Sequence, residues 1–218
     1  MERKKFLGRV NAALRAADLP EVTGPAAAPA IVFDDPVSRF ATEAVAVSSD
    51  LVRVADADGV FAAVAAVFNL AGTSSYLAWD GLDAIVPGFD AWAEQAGYIR
   101  TDATIGADPQ QRTTDTARTG GISVGVTSAD RGVAASGSVV LCHGPGRPRS
   151  ASLLVKHHVV LLPVDRVLHS LSDALARVGW DGNSNIAVIT GPSRTGDIES
   201  IHTLGVHGPR RLHIVLIG

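Results

Sequence analysis

The side chains best equipped for chemistry are gathered in one run near the C-terminus, residues 186–209. Thr190, Ser193 and Thr195 supply hydroxyl donors, and Arg194 adds a guanidinium suited to carboxylate or phosphate. Gly191 and Gly196 leave main-chain N–H groups uncovered between them. This is equipment for holding an anion. His207 stands between glycines, in Gly-Val-His-Gly-Pro at 205–209. A ligand can approach such a backbone closely, and an imidazole there exchanges protons near pH 7. Asp130 follows an apolar run and offers a carboxylate. Asp130 and His207 are therefore the candidate acid–base groups. The alternative for each is a turn residue held by local hydrogen bonds.

Other chemistries lack their patterns. The 190–197 loop has neither the spacing nor the lysine of a Walker loop. Pro192 sits directly before Ser193, and the closing glycine falls at 196, which misses a nucleophile elbow. Gly144-Pro-Gly146 runs into Pro148 instead of a helix, so no dinucleotide fingerprint forms and no flavin or nicotinamide site is expected. His157 and His158 are adjacent on a strand and point to opposite faces, and the other histidines show no metal spacing. Cys142 is the only cysteine, so neither an internal disulfide nor an all-cysteine cluster is possible in this chain. It lies in a run that reads as a buried strand, and a free core thiol is the expectation.

The elements that must position these groups follow an α/β rhythm. A helix over 2–17 is basic on one side, and a Pro/Ala-rich linker follows over 20–30. That basic face is either simply solvated or a docking surface for a partner. The domain organisation expected is 1–30 as helix and linker, then 31–218 as one α/β domain. Strands are expected at 51–54, 75–79, 84–86, 122–127, 137–142, 158–162, 186–190 and 212–217. Helices are expected near 37–45, 59–70, 89–96, and from Pro163 to Val178. The span 101–119 is polar without a period and reads as a loop. Asp197 opens a last helix ending before Gly205, either capping it or orienting Arg194. Strand, loop and helix start would make an anion site, and the strands near 190 and 212 would complete two βαβ steps. Ligands in such sheets bind beyond the carboxyl ends of the strands.

The chain has 218 residues, a net charge of −3 and 5% aromatics, which argues against a nucleic-acid binder. No apolar run is long enough to span a membrane and no secretory leader is apparent, so a cytoplasmic protein is expected.

Thr-Gly-Pro-Ser-Arg-Thr-Gly-Asp-Ile-Glu at 190–199, followed by the motif at 205–209, resembles the signature of the LUD domain family, the lactate-utilisation protein C group. The stretches 124–130 and 134–141 extend the resemblance. It implies a fold similar to the sugar-phosphate isomerase and CoA-transferase group: three layers, α/β/α, around a central mixed, mostly parallel sheet. It implies a non-redox subunit of an L-lactate-oxidising system, working with iron–sulfur partner proteins, with no cofactor in this chain. It favours Asp130, Gly137, Ser138 and Gly208 as site residues beside the loop. Ala135 stands where related domains carry a glutamate, and Val155 where a proline is expected. Arg147 and Arg149 resemble the family's basic loop. Two other readings remain open: a stand-alone isomerase or ligase acting on a phosphorylated or acyl molecule, and a structural scaffold.

Overall fold

The computed structural model describes residues 3–17, 30–179, 182–196, 202–204 and 207–218. The chain divides into Met1–Ala30 and Ile31–Gly218. The first unit holds α1 (Arg3–Ala16), whose Phe6, Leu7, Val10 and Leu14 are exposed. The second unit begins with α2 (Pro36–Ala46), β1 (Asp50–Val54), α3 (Ala57–Ala71), β2 (Ser75–Ala78), α4 (Phe89–Gln95) and β3 (Ile99–Thr101). It continues through α5 (Pro109–Thr119), β4 (Val124–Ser128), β5 (Arg131–Val133), β6 (Ser138–His143), α6 (Ser150–Leu153) and β7 (His157–Pro163). Then come β8 (Val167–Leu168), α7 (Leu171–Ala176), β9 (Asn185–Ile189), β10 (Arg194–Gly196), β11 (His202–Leu204) and β12 (Arg211–Ile217). No described helix is long and apolar enough to cross a membrane.

The centre is a six-stranded sheet in the order β1-β12-β7-β4-β2-β3, with every pair parallel. The expected α/β class with a central parallel sheet is what the chain forms. β7 and β12 are largely apolar along their length, Val159–Leu162 and Ile214–Ile217 without interruption, because both their faces are covered. On one face, Val60, Val64 and Phe68 of α3 and Phe89 of α4 pack against Val126, Val159, Leu161 and Val215. On the other, Val160, Leu162, Ile214 and Leu216 meet Phe40 and Ala44 of α2, Ala151 of α6, and Val139 and Leu141 of a second sheet. This four-stranded sheet runs β8-β5-β6-β9, and Ala174 of α7 packs with its Val133, Val140 and Cys142.

Local chemistry explains the elements. Asp35 and Asp56 cap α2 and α3 by accepting from Ser38 N and Gly59 N. Gly125 in β4 is required by packing: a Cβ there would be built into the Ala151 carbonyl of α6.

Five expectations are corrected. The helix placed from Pro163 to Val178 is strand end, a 3-10 turn, β8 and then α7 alone. Val167 and Leu168 are taken up in pairing with Gly132 and Val133, and α7 starts only at the capping box of Ser170 and Asp173. The span read as a loop contains α5, which has no apolar period because only Asp115 and Thr119 are buried. Its start was nonetheless marked by Asp108 as N-cap and Pro109 behind it. The strand placed at 84–86 is occupied in part by a 3-10 turn, Leu82–Ala84. Of the last helix, residues 202–204 are strand β11 instead, paired antiparallel with β10, Arg194 with Leu204 and Gly196 with His202, while 197–201 lie outside the described residues. Finally, β9 pairs antiparallel with β6 in the second sheet, so it takes no part in βαβ steps of the central one.

Candidate functional site

Two tight turns close over a small cavity at the amino ends of β7 and β12. Gly191 and Ser193 come from the chain after β9, and His207 and Gly208 from the turn before β12. His158 of β7 and Ser152 of α6 form the inner wall. The cavity measures about 160 Å3. That is the space of about five waters, on the order of a three-carbon acid.

The fold forces each of these positions. Gly191 has φ +77°, and a side chain there would be built into the Val47 carbonyl at the end of α2. Ser193 N donates to the Pro209 carbonyl at 2.9 Å, tying the two turns together. Gly208 lets them close, since a Cβ would lie 3.2 Å from that of Ser193. His158 pairs in register with Gly125 and Leu212 and is fully buried.

The inner wall is a set of neutral hydrogen-bonding groups. His158 Nε2 lies 2.9 Å from Thr127 Oγ1, while its Nδ1 has no partner. Burial first, then His143 and His213, pushes the His158 pKa down to about 3, so the ring is uncharged at neutral pH. Ser152 Oγ donates to the Arg149 carbonyl at 3.0 Å and lies 3.2 Å from His143 Nε2. The His143 pKa is also lowered, mainly by burial. Among the described residues no cluster of three His, Cys, Asp or Glu side chains is arranged to hold a metal.

Of the residues singled out by sequence, Gly191, Ser193, His207 and Gly208 meet at this cavity. Thr190 and Ser138 lie beside it, their hydroxyls 2.7 Å apart, with Ser136 bonded to Ser138 in turn. Gly137, at φ +63°, packs against the backbone of Ala44. Arg194 points out of the cavity: its guanidinium donates to Ser48 Oγ at 2.5 Å and to the Val47 carbonyl at 3.4 Å. Thr195 and Gly196 are described as backbone of β10, and Asp197 lies outside the described residues.

Asp130 is not brought to the cavity. It follows the carboxyl end of β4, five residues beyond Gly125, or about 16 Å along an extended chain. Its carboxylate accepts from Cys142 N at 2.7 Å and from Arg147 at 2.8 Å. Arg147 also lies over the Trp79 ring, 5.4 Å from its centre. The Cys142 thiol, pushed up to about 11 by burial and then by Asp130, is no nucleophile at neutral pH. Asp130→Ala is therefore expected to lower stability by about 1–3 kcal/mol, by leaving the Cys142 N–H unpaired, without changing small-acid affinity. Urea unfolding alongside ligand titration of the variant checks both halves.

Sequence reasoning missed Ser152 and placed His158 only as a strand residue. The available signal was a histidine opening an apolar run buried on both faces, where a polar group needs a partner. A larger groove, about 550 Å3, runs along β1 and is mostly apolar, with Val45, Val52 and Leu70 exposed. At its polar end Arg211 grips Asp50 with two bonds, and His213 lies 3.3 Å from the same carboxylate and 3.2 Å from His157. Those charged groups satisfy one another, and the groove's one unpartnered buried polar atom among the described residues is the Ser49 hydroxyl, whereas the smaller cavity is lined by His158, whose Nδ1 is left free beside the two motif turns.

A family model described as the LUD domain matches residues 37–217. Lactate utilization protein C of Exiguobacterium sp. is 34% identical over 100 residues, 43% of this chain and 44% of that protein. Lactate utilization protein C of Shouchella clausii is 25% identical over 198 residues, 84% of this chain and 80% of that protein. Against the Exiguobacterium relative, the chain spans less than half the length. The crystal structure of a DUF162 family protein from Deinococcus radiodurans superposes with a TM-score of 0.60 at 16% identity, covering 84% of this chain and 96% of that one. At that identity the likeness speaks for the fold.

Proposed function

The chain belongs to the LUD domain family, and from that premise we propose that it serves lactate utilisation as a cytoplasmic subunit that binds a small carboxylic acid. The observation that carries this reading is the cavity. Two motif turns, 191–193 and 207–209, close over a space matched to a three-carbon acid. The names of the relatives supply the pathway, and the cavity supplies the size of ligand.

The rest of the proposal concerns division of labour. Converting L-lactate to pyruvate releases two electrons and two protons. A single buried cysteine gives this chain no thiolate set for an iron–sulfur cluster. The electrons are therefore assigned to iron–sulfur partner proteins, and acid binding or partner positioning to this chain. His207 is exposed at the rim, where it meets the charged end of the acid. A carboxylate carried deeper would enter a wall of neutral groups at high cost.

Calorimetric titration of the purified chain is the test. L-lactate and pyruvate are expected to give saturable heats that His207→Ala weakens about ten-fold, the loss of one charge-assisted bond. Flat titrations with both acids refute the binding role. Copurification of cysteine-rich proteins with visible iron–sulfur absorbance supports the assembly, and their absence from native complexes counts against it.

A further inference from the structure

The unpaired nitrogen of His158 defines what the ligand must present to it. Thr127 is fully buried, and His158 Nε2 is the only partner of its hydroxyl among the described residues. A buried hydroxyl must place its own proton on an acceptor, and here the only acceptor is Nε2. That assigns the ring proton to Nδ1. The free atom, buried on a ring that lines the cavity, is therefore an N–H donor.

We propose that His158 is a specificity-determining residue, donating from Nδ1 to an uncharged oxygen on the carbon next to the ligand's carboxylate. The proposal rests on the acid-binding reading above. The carboxylate stays at the exposed His207 end, and the adjoining oxygen reaches the inner wall. A 2-oxo oxygen and a 2-hydroxyl oxygen both accept a hydrogen bond, so both classes of acid fit. An acid with no oxygen there leaves the buried N–H unpaired. Sites built to hydrogen-bond a substrate oxygen reject analogues lacking it strongly. The opposite tautomer would make Nδ1 an acceptor, favouring the hydroxy acid and rejecting the oxo acid. The low pKa of His158 keeps the ring neutral throughout, so no change of its charge enters the discrimination.

Two measurements on the full chain test this. Nitrogen-15 NMR of the histidine side chains is expected to show His158 as the Nδ1–H tautomer, and Thr127→Val to release that bias while Thr127→Ser keeps it. Titration is expected to rank L-lactate and pyruvate about ten- to hundred-fold above propionate. His158→Leu should bring the three acids level. Thr127→Val, which removes only a hydroxyl, serves if the leucine variant does not fold, and it should narrow the ranking. An Nε2–H tautomer, or propionate binding as well as lactate, overturns the inference while the acid-binding role stands. Failure of every acid to bind overturns the acid-binding role and the ligand assignment with it, whichever tautomer is found.

Discussion

Gly125→Ala is expected to leave little folded protein. The position is in the middle of the central sheet, flanked by Tyr76–Ala78 of β2 and by β7. One methyl group there would be built into the Ala151 carbonyl, with Val155 Cγ2 3.1 Å away on the same side. The obstacle is backbone, so no side chain can turn aside. Either α6 lifts off the sheet or β4 shifts in register, and both expose the core around Ala151 and Val160. Overpacking usually costs about 1–3 kcal/mol, and a clash with main chain lies beyond that range. A total stability of about 5–15 kcal/mol leaves little margin. The checks are soluble yield and urea midpoint by circular dichroism. A midpoint within a few tenths molar of wild type would mean that α6 is far looser against the sheet than its packing implies. Because α6 carries Ser152, any surviving protein should also lose the inner wall of the cavity.

Acidification gives the second large effect. His158 has its pKa lowered to about 3 and His213 to about 4, in both cases chiefly by burial. The unfolded chain titrates these groups near 6.5. Above that pH neither state is protonated and the histidines add nothing to the balance. As pH falls below 6.5, the unfolded chain takes up protons that the folded chain refuses until pH 3–4, so stability falls with pH through that window. His158 alone contributes a slope of about 1.4 kcal/mol per pH unit. His213 adds a smaller share, since it lies against half-exposed Asp50, where water screens the interaction. His143 and His157 shift in the same direction. Between pH 6 and pH 4 the loss is expected to reach about 3 kcal/mol or more. Urea midpoints across that range measure it. A His158→Leu chain that folds should show a visibly shallower decline, and an unchanged decline would remove His158 from the account.

Much of the scaffold is legible in the residues themselves. The largely apolar runs at 158–162 and 212–217 imply strands covered on both faces, and they form the middle of the parallel sheet. Asp56 before an apolar stripe and Gly72 behind it delimit α3. Where the reading went astray, a local signal was outweighed or overlooked. Val164, Val167 and Leu168 recur at helical spacing, yet pairing of Val167 with Gly132 draws that segment into a sheet. Asp108-Pro109 and Ser170 with Asp173 were caps in plain view.

The amino acids alone determined the α/β class, the family signature, and which turns carry glycine, serine and histidine at 191–193 and 207–208. Those properties are local, being fixed by side-chain type, φ preference and short-range periodicity. Tertiary structure decided the rest. It sent β9 to the second sheet and paired 194–196 with 202–204. It turned Arg194 toward Ser48, kept Asp130 at the far end of the strands, and left His158 Nδ1 without a partner. Apart from the pairing of 194–196 with 202–204, which is close in sequence, these depend on contacts between segments well separated along the chain. A short apolar strand carries no mark of which sheet will receive it, and a histidine carries no mark of whether its second nitrogen will find a partner.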